Sequence, residues 1–456
     1  MRPIITLAAM LLAAAPLAAA PLTPVETATI DDAVARILAS TGVPGASIAV
    51  VRDGRIAYAH AYGAAKLTPA TPATPAGRMP IASVSKQVTA TAILLLAEDG
   101  KLSLDDKVSK YLPKVTGGDG ITIRQLLSHT SGLRDYWPQD YDFADMAKPV
   151  APAAILARWA SAPLDFAPGT QWQYSNTGYV AAGLIIEAVA GEPLMTFLQR
   201  RIFHPLGIDV VDADTGRSAG DPLGYHRYAL GPVRLAAQPA PGWLFAAGQL
   251  AMTASDLARW DIGVIERRVL KPASYAVQQT DVKLAGGSSS HYGLGVDVGA
   301  VGDHRMISHG GEATGFLTEN RIFPDDRAAV AVEVNADFGN AQGAIADAVD
   351  AVLFPDADAT RDARMLYDQL RSGTLDRTKL TANANYYFTP TAVADFKASL
   401  APLGEPASFV QSSKKLRGGF TAEVYRVTFP GRTLRVVLRA EPGGGKVEQF
   451  MVYPID

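Results

Sequence analysis

Two short stretches of this chain place a hydroxyl and an amine three residues apart, a spacing that suits proton transfer. Ser83 and Lys86 stand at the head of the apolar run "IASVSKQVTATAILLLAEDG", whose periodicity predicts a core helix. On a helix, residues three apart share one face, so Lys86 can take the proton of Ser83 if burial keeps its amine neutral. Ser412 and Lys415 repeat the spacing in the polar stretch "QSSKKLRGG", with no such run after it. The spacing alone is therefore a weak signal.

A simpler interpretation of the first stretch makes Ser83 or Ser85 a helix cap. A serine at the start of a helix accepts a hydrogen bond from an unpaired N–H group of the first turn. On the sequence alone this is the commoner reason for a serine in that position. Both interpretations stay open at this point, and the elements around the pair must decide between them.

Composition limits the class of protein. The 456 residues are 48% hydrophobic and 19% charged, which is typical of a folded globular protein. The net charge is −3, from 42 basic and 45 acidic residues, and no basic stripe stands out, so we expect no nucleic-acid partner. The chain has no cysteine, which excludes disulfides, thiol catalysis and cysteine-ligated metals.

The first 20 residues resemble a secretory signal peptide. "MRPIITLAAMLLAAAPLAAA" has an early Arg2, a short apolar run and small residues in an Ala-x-Ala-like order, with cleavage expected near 18–20. A membrane anchor is the weaker alternative, because Pro16 interrupts the run and a span needs about 20 apolar residues. We therefore predict a periplasmic or secreted protein with no integral membrane segment after cleavage.

Strand patterns lie at both ends of the region that follows and enclose a helical middle. "ASIAVVRDGRIAYAHAYG" reads as a hairpin turning at Asp53-Gly54. Helical segments and Pro/Gly-rich loops then continue to about Trp260. Strand patterns return in "HYGLGVDVG", "HRMISHGG" and "TENRIFPDDRAAVAVEVNAD". This order predicts an α/β (α+β) fold with one antiparallel sheet built from both ends, covered by terminal helices, and a separate helical lobe.

A second, smaller domain is predicted beyond a polar segment at 355–362. Residues 362–456 show helical patterns and three strand-like runs, "FTAEVYRVTF", "RTLRVVLRA" and "KVEQFMVYP". They indicate a small α+β domain with an antiparallel sheet. No catalytic constellation is visible in it, so we expect a structural or recognition role there.

Two further motifs follow the first in chain order. "QWQYSNTGY" contains Tyr174-Ser175-Asn176, and "HRMISHGGEATGF" contains His309-Gly310-Gly311. With "IASVSKQ", "ITIRQLLSHTSGL" and "AAGQLAMTASDLARW", they make residues 25–355 resemble the serine β-lactamase and penicillin-binding peptidase family. The nearest branch holds class C β-lactamases, D-alanyl-D-alanine carboxypeptidases, D-aminopeptidases and related esterases.

The resemblance implies a fold and a set of catalytic roles. The fold would be a five-stranded antiparallel sheet flanked by helices, plus a helical lobe, with the site between them. Ser83 would be the nucleophile, Lys86 its base or proton relay, and Tyr174 the group that exchanges protons with the leaving group. Asn176 would bind the substrate's amide and steady the lysine. Whether the lysine or the tyrosine is the formal base stays open.

The third motif would supply the opposite wall of the cleft. His309 and Gly311 would lie on the strand that edges it, and the N–H groups of Ser83 and Glu312 would form an oxyanion hole. His291-Tyr292-Gly293 also fits His-x-Gly, but in the family a "YGLG" run lies on the preceding strand, which favours His309. The histidines show no metal-ligand spacing, so we expect no metal and no cofactor.

The third motif also departs from the family pattern. β-Lactamases of the family carry Lys-Thr-Gly where this chain has His309-Gly310-Gly311. The lysine and threonine suit a substrate carboxylate, so their loss disfavours penicillins and cephalosporins. We expect a serine hydrolase that acts through an acyl-enzyme on a small-molecule or peptide substrate, an amide or ester such as a D-amino-acid peptide or small ester.

Two alternatives remain, a true β-lactamase and a non-catalytic protein that binds peptidoglycan or a partner. The non-catalytic alternative is disfavoured because Ser83, Lys86, Tyr174 and Asn176 are all present.

Overall fold

The computed structural model describes residues 21–302, 304–354, 360–441 and 445–455 of the chain. The chain forms two compact units that divide between Leu353 and Phe354. The predicted signal peptide, 1–20, lies outside the described residues, and so does most of the predicted boundary segment, 355–362.

The first unit contains twelve strands and eleven α-helices among its described residues. The strands are β1 Gly45–Arg52, β2 Arg55–Leu67, β3 Ala70–Pro72, β4 Met79–Pro80, β5 Val211–Asp212, β6 Tyr225–His226, β7 Arg234–Leu235, β8 Leu250–Met252, β9 Asp297–Val301, β10 His304–Ala313, β11 Phe316–Phe323 and β12 Ala328–Val334. The helices are α1 Pro24–Thr41, α2 Ser85–Glu98, α3 Ile123–Leu127, α4 Pro152–Trp159, α5 Asn176–Ala190, α6 Leu194–Leu198, α7 His204–Leu206, α8 Phe245–Gly248, α9 Ala254–Ile265, α10 Pro272–Gln278 and α11 Ala341–Leu353.

One antiparallel sheet joins the two ends of this unit, as the sequence predicts. Its strand order is β3-β2-β1-β12-β11-β10-β9, so β1 pairs with β12, with Ala46 opposite Val334. The Asp53-Gly54 turn closes the β1–β2 hairpin, and both residues have a positive φ, as such two-residue turns require. The terminal helices α1 and α11 pack on each other and on the sheet.

The sheet has seven strands, so the expectation of five strands is wrong. The two extra strands are the edge strands β3 and β9, which have three and five residues. β3 extends the β2 hairpin, and β9 pairs with only the first half of β10, up to Ser308. A strand as short as β3 carries few alternating positions and is hard to recognise in a sequence, whereas β9 overlaps the stretch "HYGLGVDVG", in which the sequence already indicates a strand. The α/β (α+β) class and the helical middle are confirmed.

Helix α2 lies inside the first unit, where every residue from Ser85 to Leu96 is buried. A helix that is buried on all sides must satisfy its polar side chains internally. In the part of the chain that the structure describes, no single helix has the length and apolar character to cross a membrane. One bent pair, Asn176–Ala190 with Leu194–Leu206, meets that test on length and composition alone.

The second unit is a four-stranded antiparallel sheet with helices and a core of its own. Its strands are β13 Ser408–Arg417, β14 Phe420–Phe429, β15 Arg432–Ala440 and β16 Val447–Pro454, and its helices are α12 Arg361–Ser372, α13 Ala382–Tyr387 and α14 Pro390–Leu400. The sequence predicts three of these strands. It misses β13, because the polar run "QSSKKLR" has no apolar alternation.

Candidate active site

Ser83 lies in a short 3₁₀ turn, Ala82–Val84, that leads from β4 into the buried helix α2. The backbone of this turn is strained, because Ala82 has a φ of 47°, in the left-handed region that residues with a Cβ rarely adopt. A strained turn of this kind persists only where the surrounding structure imposes it, and the turn places Ser83 immediately before α2.

Neither candidate serine caps α2. The residue before the helix is Val84, which makes no side-chain cap. The Ser85 hydroxyl instead accepts a hydrogen bond from the N–H group of Leu250 at 3.2 Å. The cap interpretation is therefore wrong, and Ser83 faces Lys86.

The amine of Lys86 is fully buried and has three hydrogen-bond partners. Its Nζ lies 2.9 Å from Ser83 Oγ, 2.8 Å from Asn176 Oδ1 and 2.8 Å from the main-chain oxygen of Ala247. Two of these partners are carbonyl oxygens, which only accept. A neutral amine therefore donates to both and directs its lone pair at the Ser83 hydroxyl. Burial lowers the pKa of Lys86 to about 7, against the opposing charge of Asp135.

Asn176 is the first residue of α5, and its side chain is fixed by Asp135. The Ser175 hydroxyl caps the helix by accepting from the N–H group of Gly178 at 3.3 Å. The Asp135 carboxylate accepts from the N–H group of Asn176 at 3.0 Å and from its Nδ2 at 3.1 Å. Since a carboxylate only accepts, the amide of Asn176 must turn its Oδ1 towards Lys86.

Tyr174 lies beside the nucleophile and the lysine. The Nζ atom of Lys86 is 4.8 Å from the centroid of its ring. Burial raises the pKa of Tyr174 well above its usual value, a hydrogen bond with Ser83 lowers it, and the charges of Asp135 and Asp297 raise it further. Tyr174 is therefore a neutral phenol near pH 7 and a proton donor, whereas Lys86 can accept a proton there.

His309 is buried in β10, and both ring nitrogens are hydrogen-bonded. Its Nδ1 lies 2.6 Å from the main-chain oxygen of Gly310, and its Nε2 lies 2.9 Å from the Tyr292 hydroxyl. Because the carbonyl only accepts, Nδ1 carries the proton and Nε2 accepts from the tyrosine. Burial and then Lys86 lower the pKa of His309 to about 3, so the ring is neutral. The alternative candidate, His291, is exposed.

The two glycines of the third motif differ in the space around them. A Cβ at Gly311 would lie 2.2 Å from the main-chain oxygen of Ile81, so only glycine lets β10 approach the 3₁₀ turn this closely. Gly310 is exposed, and a Cβ there would meet its nearest atom, in the Glu319 carboxylate, at 3.9 Å. A side chain is therefore tolerated at Gly310 and not at Gly311.

A cavity of about 900 Å³ opens beside the nucleophile. Four residues predicted for the site line it: Ser83, Tyr174, Asn176 and Glu312. The other three are absent from its lining: Lys86, His309 and Gly311. Lys86 still belongs to the site, because its Nζ atom is hydrogen-bonded to Ser83 Oγ. His309 and Gly311 therefore shape the site from within β10, and their predicted contact with substrate stays a prediction.

One wall of this cavity is acidic. We call it the acidic wall and define it by Asp140, Asp142, Glu312 and Asp337. Burial raises the pKa of Asp142, Glu312 and Asp337. The charge of Asp337 raises the pKa of Asp142 further, and the charges of Asp140 and then Asp337 raise the pKa of Glu312 further. The hydrogen-bond donors to the wall are neutral: Thr314 Oγ1 donates to Asp142 at 2.9 Å, and the N–H group of Gly315 donates to Asp337 at 2.9 Å. Within the described ranges, no cluster of three or more His, Cys, Asp or Glu side chains could hold a metal ion.

Two residues of "LLSHTSGLRDY" belong to the site although the sequence analysis gives them no role, Asp135 and His129. The Nδ1 atom of His129 accepts from the N–H group of Ser175 at 3.1 Å, and its ring centroid lies 4.2 Å from that of Tyr174. The phrase that holds His129 contributes to the family resemblance. No periodicity or spacing, however, places it against the second motif.

Comparison with known families and curated proteins gives consistent matches. The family whose model matches is described as Beta-lactamase, over residues 30–353. The D-aminopeptidase of Brucella ovis is 30% identical over 341 residues, 72% of this chain and 63% of that protein. The D-aminopeptidase of Cereibacter sphaeroides is 30% identical over 309 residues, 64% of this chain and 57% of that protein. The chain thus spans less than two thirds of the length of these curated relatives.

Solved structures match over most of their own length. The D-stereospecific amidohydrolase from Streptomyces sp. is 28% identical, with a TM-score of 0.60 over 70% of this chain and 97% of that one. The D-amino acid amidase from Ochrobactrum anthropi SV3, complexed with L-phenylalanine amide, is 26% identical. Its TM-score is 0.61 over 74% of this chain and 99% of that one. The octameric penicillin-binding protein homologue from Pyrococcus abyssi matches in fold alone. It is 22% identical, with a TM-score of 0.63 over 94% of this chain and 96% of that one.

Proposed function

The chain belongs to the Beta-lactamase family, and from that premise we propose that it is a serine hydrolase that cleaves amides through an acyl-enzyme at Ser83. One observation carries the proposal: the buried amine of Lys86 has two carbonyl acceptors and the Ser83 hydroxyl as its partners. A serine hydroxyl is a weak nucleophile until an adjacent base takes its proton. Here that base is directed at it, and its pKa of about 7 means that it loses its proton near neutral pH.

In the first step the Ser83 Oγ bonds to the carbonyl carbon of the substrate while its proton passes to Lys86 Nζ. The carbonyl oxygen takes up the electron pair. The N–H groups of Ser83 and Glu312 are the proposed donors to this oxyanion. β9 pairs with β10 only as far as Ser308. The rest of that edge of β10 has no pairing with β9, and Glu312, which lies in this part of β10, lines the cavity.

In the second step the carbon–nitrogen bond breaks and Tyr174 gives its phenolic proton to the leaving amine. The lysine ammonium then returns a proton to Tyr174, so charge is restored. Water then bonds to the acyl carbon and gives a proton to Lys86, the bond from that carbon to Ser83 Oγ breaks, and Lys86 returns the proton to Ser83 Oγ, which restores the free enzyme. The raised pKa of Tyr174 suits this donor role, because the phenol keeps its proton near pH 7 until the leaving nitrogen requires it.

The acidic wall favours a substrate that carries an amine. The cavity that Ser83 lines also has five carboxyl groups in its lining, those of the acidic wall and Asp135, against one guanidinium, that of Arg227, so it attracts an ammonium group and repels a carboxylate. The neutral ring of His309 offers no positive charge to offset them. Together with the names of the relatives, this points to amides of D-amino acids with a free amino group, or peptides that begin with one. Penicillins, cephalosporins and C-terminal D-alanine peptides all carry a carboxylate and fit less well.

Secretion is part of the same proposal. It rests on the signal-peptide pattern of the first 20 residues. Cell fractionation followed by N-terminal sequencing of the protein tests it. A chain that starts near residue 20 in the periplasm or medium supports secretion, and an intact Met1 in the cytoplasm contradicts it.

A substrate panel tests the function. D-Phenylalanine p-nitroanilide should be hydrolysed with a higher kcat/KM than its L-isomer, its N-acetyl derivative, a p-nitrophenyl ester or nitrocefin. The Asp337→Asn variant should lose about tenfold against the free-amine anilide and little against the N-acetyl anilide, since one charge-assisted contact is worth roughly 1.5–3 kcal/mol. The exposed Asp119→Asn serves as the matched control. Equal rates for the free and acetylated anilides would contradict the amine preference.

A further inference from the structure

We infer that Asp135 is a positioning residue that holds Asn176 in the orientation in which Lys86 serves Ser83. The inference rests on the proposed function, because it concerns how the base is kept directed at the nucleophile. Neither the motifs nor the family resemblance assigns Asp135 a role.

The first argument is the geometry of the Asp135 carboxylate. Its two oxygens accept from the main-chain N–H group and from the Nδ2 atom of Asn176, at 3.0 Å and 3.1 Å. Oδ1 also accepts from the N–H group of Trp137 at 3.2 Å. Asp135 lines the cavity, yet the residue is only 8% exposed, so water competes little for these bonds. Asp135 therefore holds both the backbone and the side chain of Asn176.

The second argument is that only an acceptor at this position gives Asn176 the required polarity. With Asp135 ionised, the Asn176 Nδ2 faces the carboxylate and its Oδ1 faces Lys86 at 2.8 Å. Asp135 Oδ1 accepts from two main-chain N–H groups and Oδ2 from only the Asn176 Nδ2, so an asparagine at 135 would keep its oxygen on the main-chain donors and place its NH₂ group opposite that Nδ2, where two donors repel. The Asn176 amide would then turn over and present its N–H to Lys86. The lone pair of the neutral amine would accept from Asn176 rather than from Ser83.

The third argument is charge. The groups that face Lys86 from neighbouring elements are His129, His309, Tyr174 and Tyr179. Burial lowers the pKa of both histidines and raises that of both tyrosines, so all four are neutral near pH 7. Asp135, whose pKa is about 6, supplies the charge that raises the pKa of Lys86. Removing that charge makes the lysine lose its proton at a lower pH.

The test measures the rate at which a fluorophosphonate labels Ser83, by intact mass, from about pH 6 to about pH 9.5. In the wild type the rate should rise through about pH 7, where Lys86 becomes neutral. In Asp135→Asn the plateau rate should fall by about tenfold to a hundredfold, while the midpoint moves to lower pH. Asp135→Glu keeps the charge, so its midpoint should stay near that of the wild type. In an Asn176→Ala background, Asp135→Asn should cost no more than about twofold.

A matched control is Asp165→Asn, an aspartate that joins the same two chain segments by bonds to Arg134 and Gln173 but not to Asn176. It should leave the plateau and the midpoint unchanged. If Asp135→Asn does not fold, Asp135→Ala, which has neither an acceptor nor a charge, carries the same expectation. A lower plateau with an unmoved midpoint, or no change at all, overturns the inference. A wild type that is not labelled at Ser83 overturns the proposed function instead.

Discussion

The chain carries Ser-x-x-Lys twice, and the structure places the two copies in different secondary structure. Ser83 and Lys86 span a 3₁₀ turn and the first turn of α2, so the amine lies 2.9 Å from the hydroxyl. Ser412 and Lys415 lie in strand β13, where three residues of extended chain cover about 10 Å. The Ser412 hydroxyl is exposed at an irregularity of the strand and donates to the main-chain oxygen of Val424 at 3.0 Å.

The difference shows what converts a spacing into a possible reaction. In α2 the helix closes the spacing, and burial lowers the pKa of Lys86 to about 7. Carbonyl partners then direct the neutral amine at the serine. In β13 the hydroxyl of Ser412 is already donated to the neighbouring strand. The predictions below test whether these three conditions decide the chemistry.

The largest expected effect separates the two serines. Ser83→Ala should lose labelling by a fluorophosphonate and about 10⁴-fold or more in kcat/KM, because the bond-forming oxygen is gone. Ser412→Ala should keep both within about twofold. Intact mass and peptide mapping of the two labelled variants decide it. A label found at Ser412, or equal mass gain in Ser83→Ala, would show that the comparison assigns the wrong serine.

The next effect separates the two lysines. Lys86→Ala and Tyr174→Phe should each lower kcat by about 10²–10⁴, as positioned acid–base groups do. Because both act in one proton transfer, the double variant should cost little more than the worse single change. Lys415→Ala should leave kcat unchanged. Kinetics on folded variants, verified by circular dichroism, provide the measurement. Near wild-type turnover in either single variant at the site would remove its role.

A smaller effect is expected when a second amine is added near the site without contacts that direct it at the substrate. His309→Lys with Gly310→Thr restores the groups that β-lactamases of the family carry, and Gly310 has room for the side chain. Burial and the neighbouring Lys86 disfavour a charge at position 309. The kcat/KM for nitrocefin, relative to a neutral p-nitrophenyl ester, should therefore rise by about tenfold at most. A rise of a hundredfold would mean that the third motif alone sets the substrate preference.

The smallest effect is expected for a carboxyl group that is buried without hydrogen-bond partners. Glu333 in β12 is fully buried, and among the described residues neither carboxyl oxygen has a hydrogen-bond partner. Glu333→Met should leave kcat/KM within about twofold and raise the free energy of unfolding by about 1–3 kcal/mol. Burial raises the pKa of Glu333 well above its usual value. The folded protein therefore binds a proton that the unfolded chain has lost, and wild-type stability falls as pH rises above about 4.5.

The gain from Glu333→Met should accordingly be larger at pH 7 than at pH 4. Urea unfolding at both pH values measures it. The conservative Glu333→Gln is the control, because it keeps a polar group in the same place and should gain less. A destabilised Glu333→Met would show that the carboxyl has a use that the buried geometry does not reveal.

The elements with strong local signals could be predicted from the sequence. The Asp53-Gly54 turn, the continuous apolar run of β1 and the helical run of α2 each depend on residues within one short stretch. The convergence of Ser83, Lys86, Tyr174 and Asn176 was expected from three motifs in order, and the structure brings these four residues together.

The parts that were missed depend on contacts between distant segments. Asp135 meets Asn176 across 41 positions, and no pattern in either segment encodes that distance. The polar strand β13 is held by pairing with β14 rather than by its own alternation. The neutrality of His309 follows from its burial against Tyr292, which the motif letters do not show. Tertiary packing, not local preference, fixes all three.

The pairing of β1 with β12 has a consequence for the order in which the protein folds. Ala46 lies opposite Val334, so the centre of the sheet joins the beginning of the first unit to its end. During synthesis the apolar strand "GASIAVV" must wait, with one edge unpaired, until nearly the whole unit has been made. Pairing between such distant segments makes folding slow and exposes the waiting strand to aggregation. A chain shortened before β12 should therefore aggregate rather than retain partial activity, even though it still contains Ser83, Lys86, Tyr174 and Asn176.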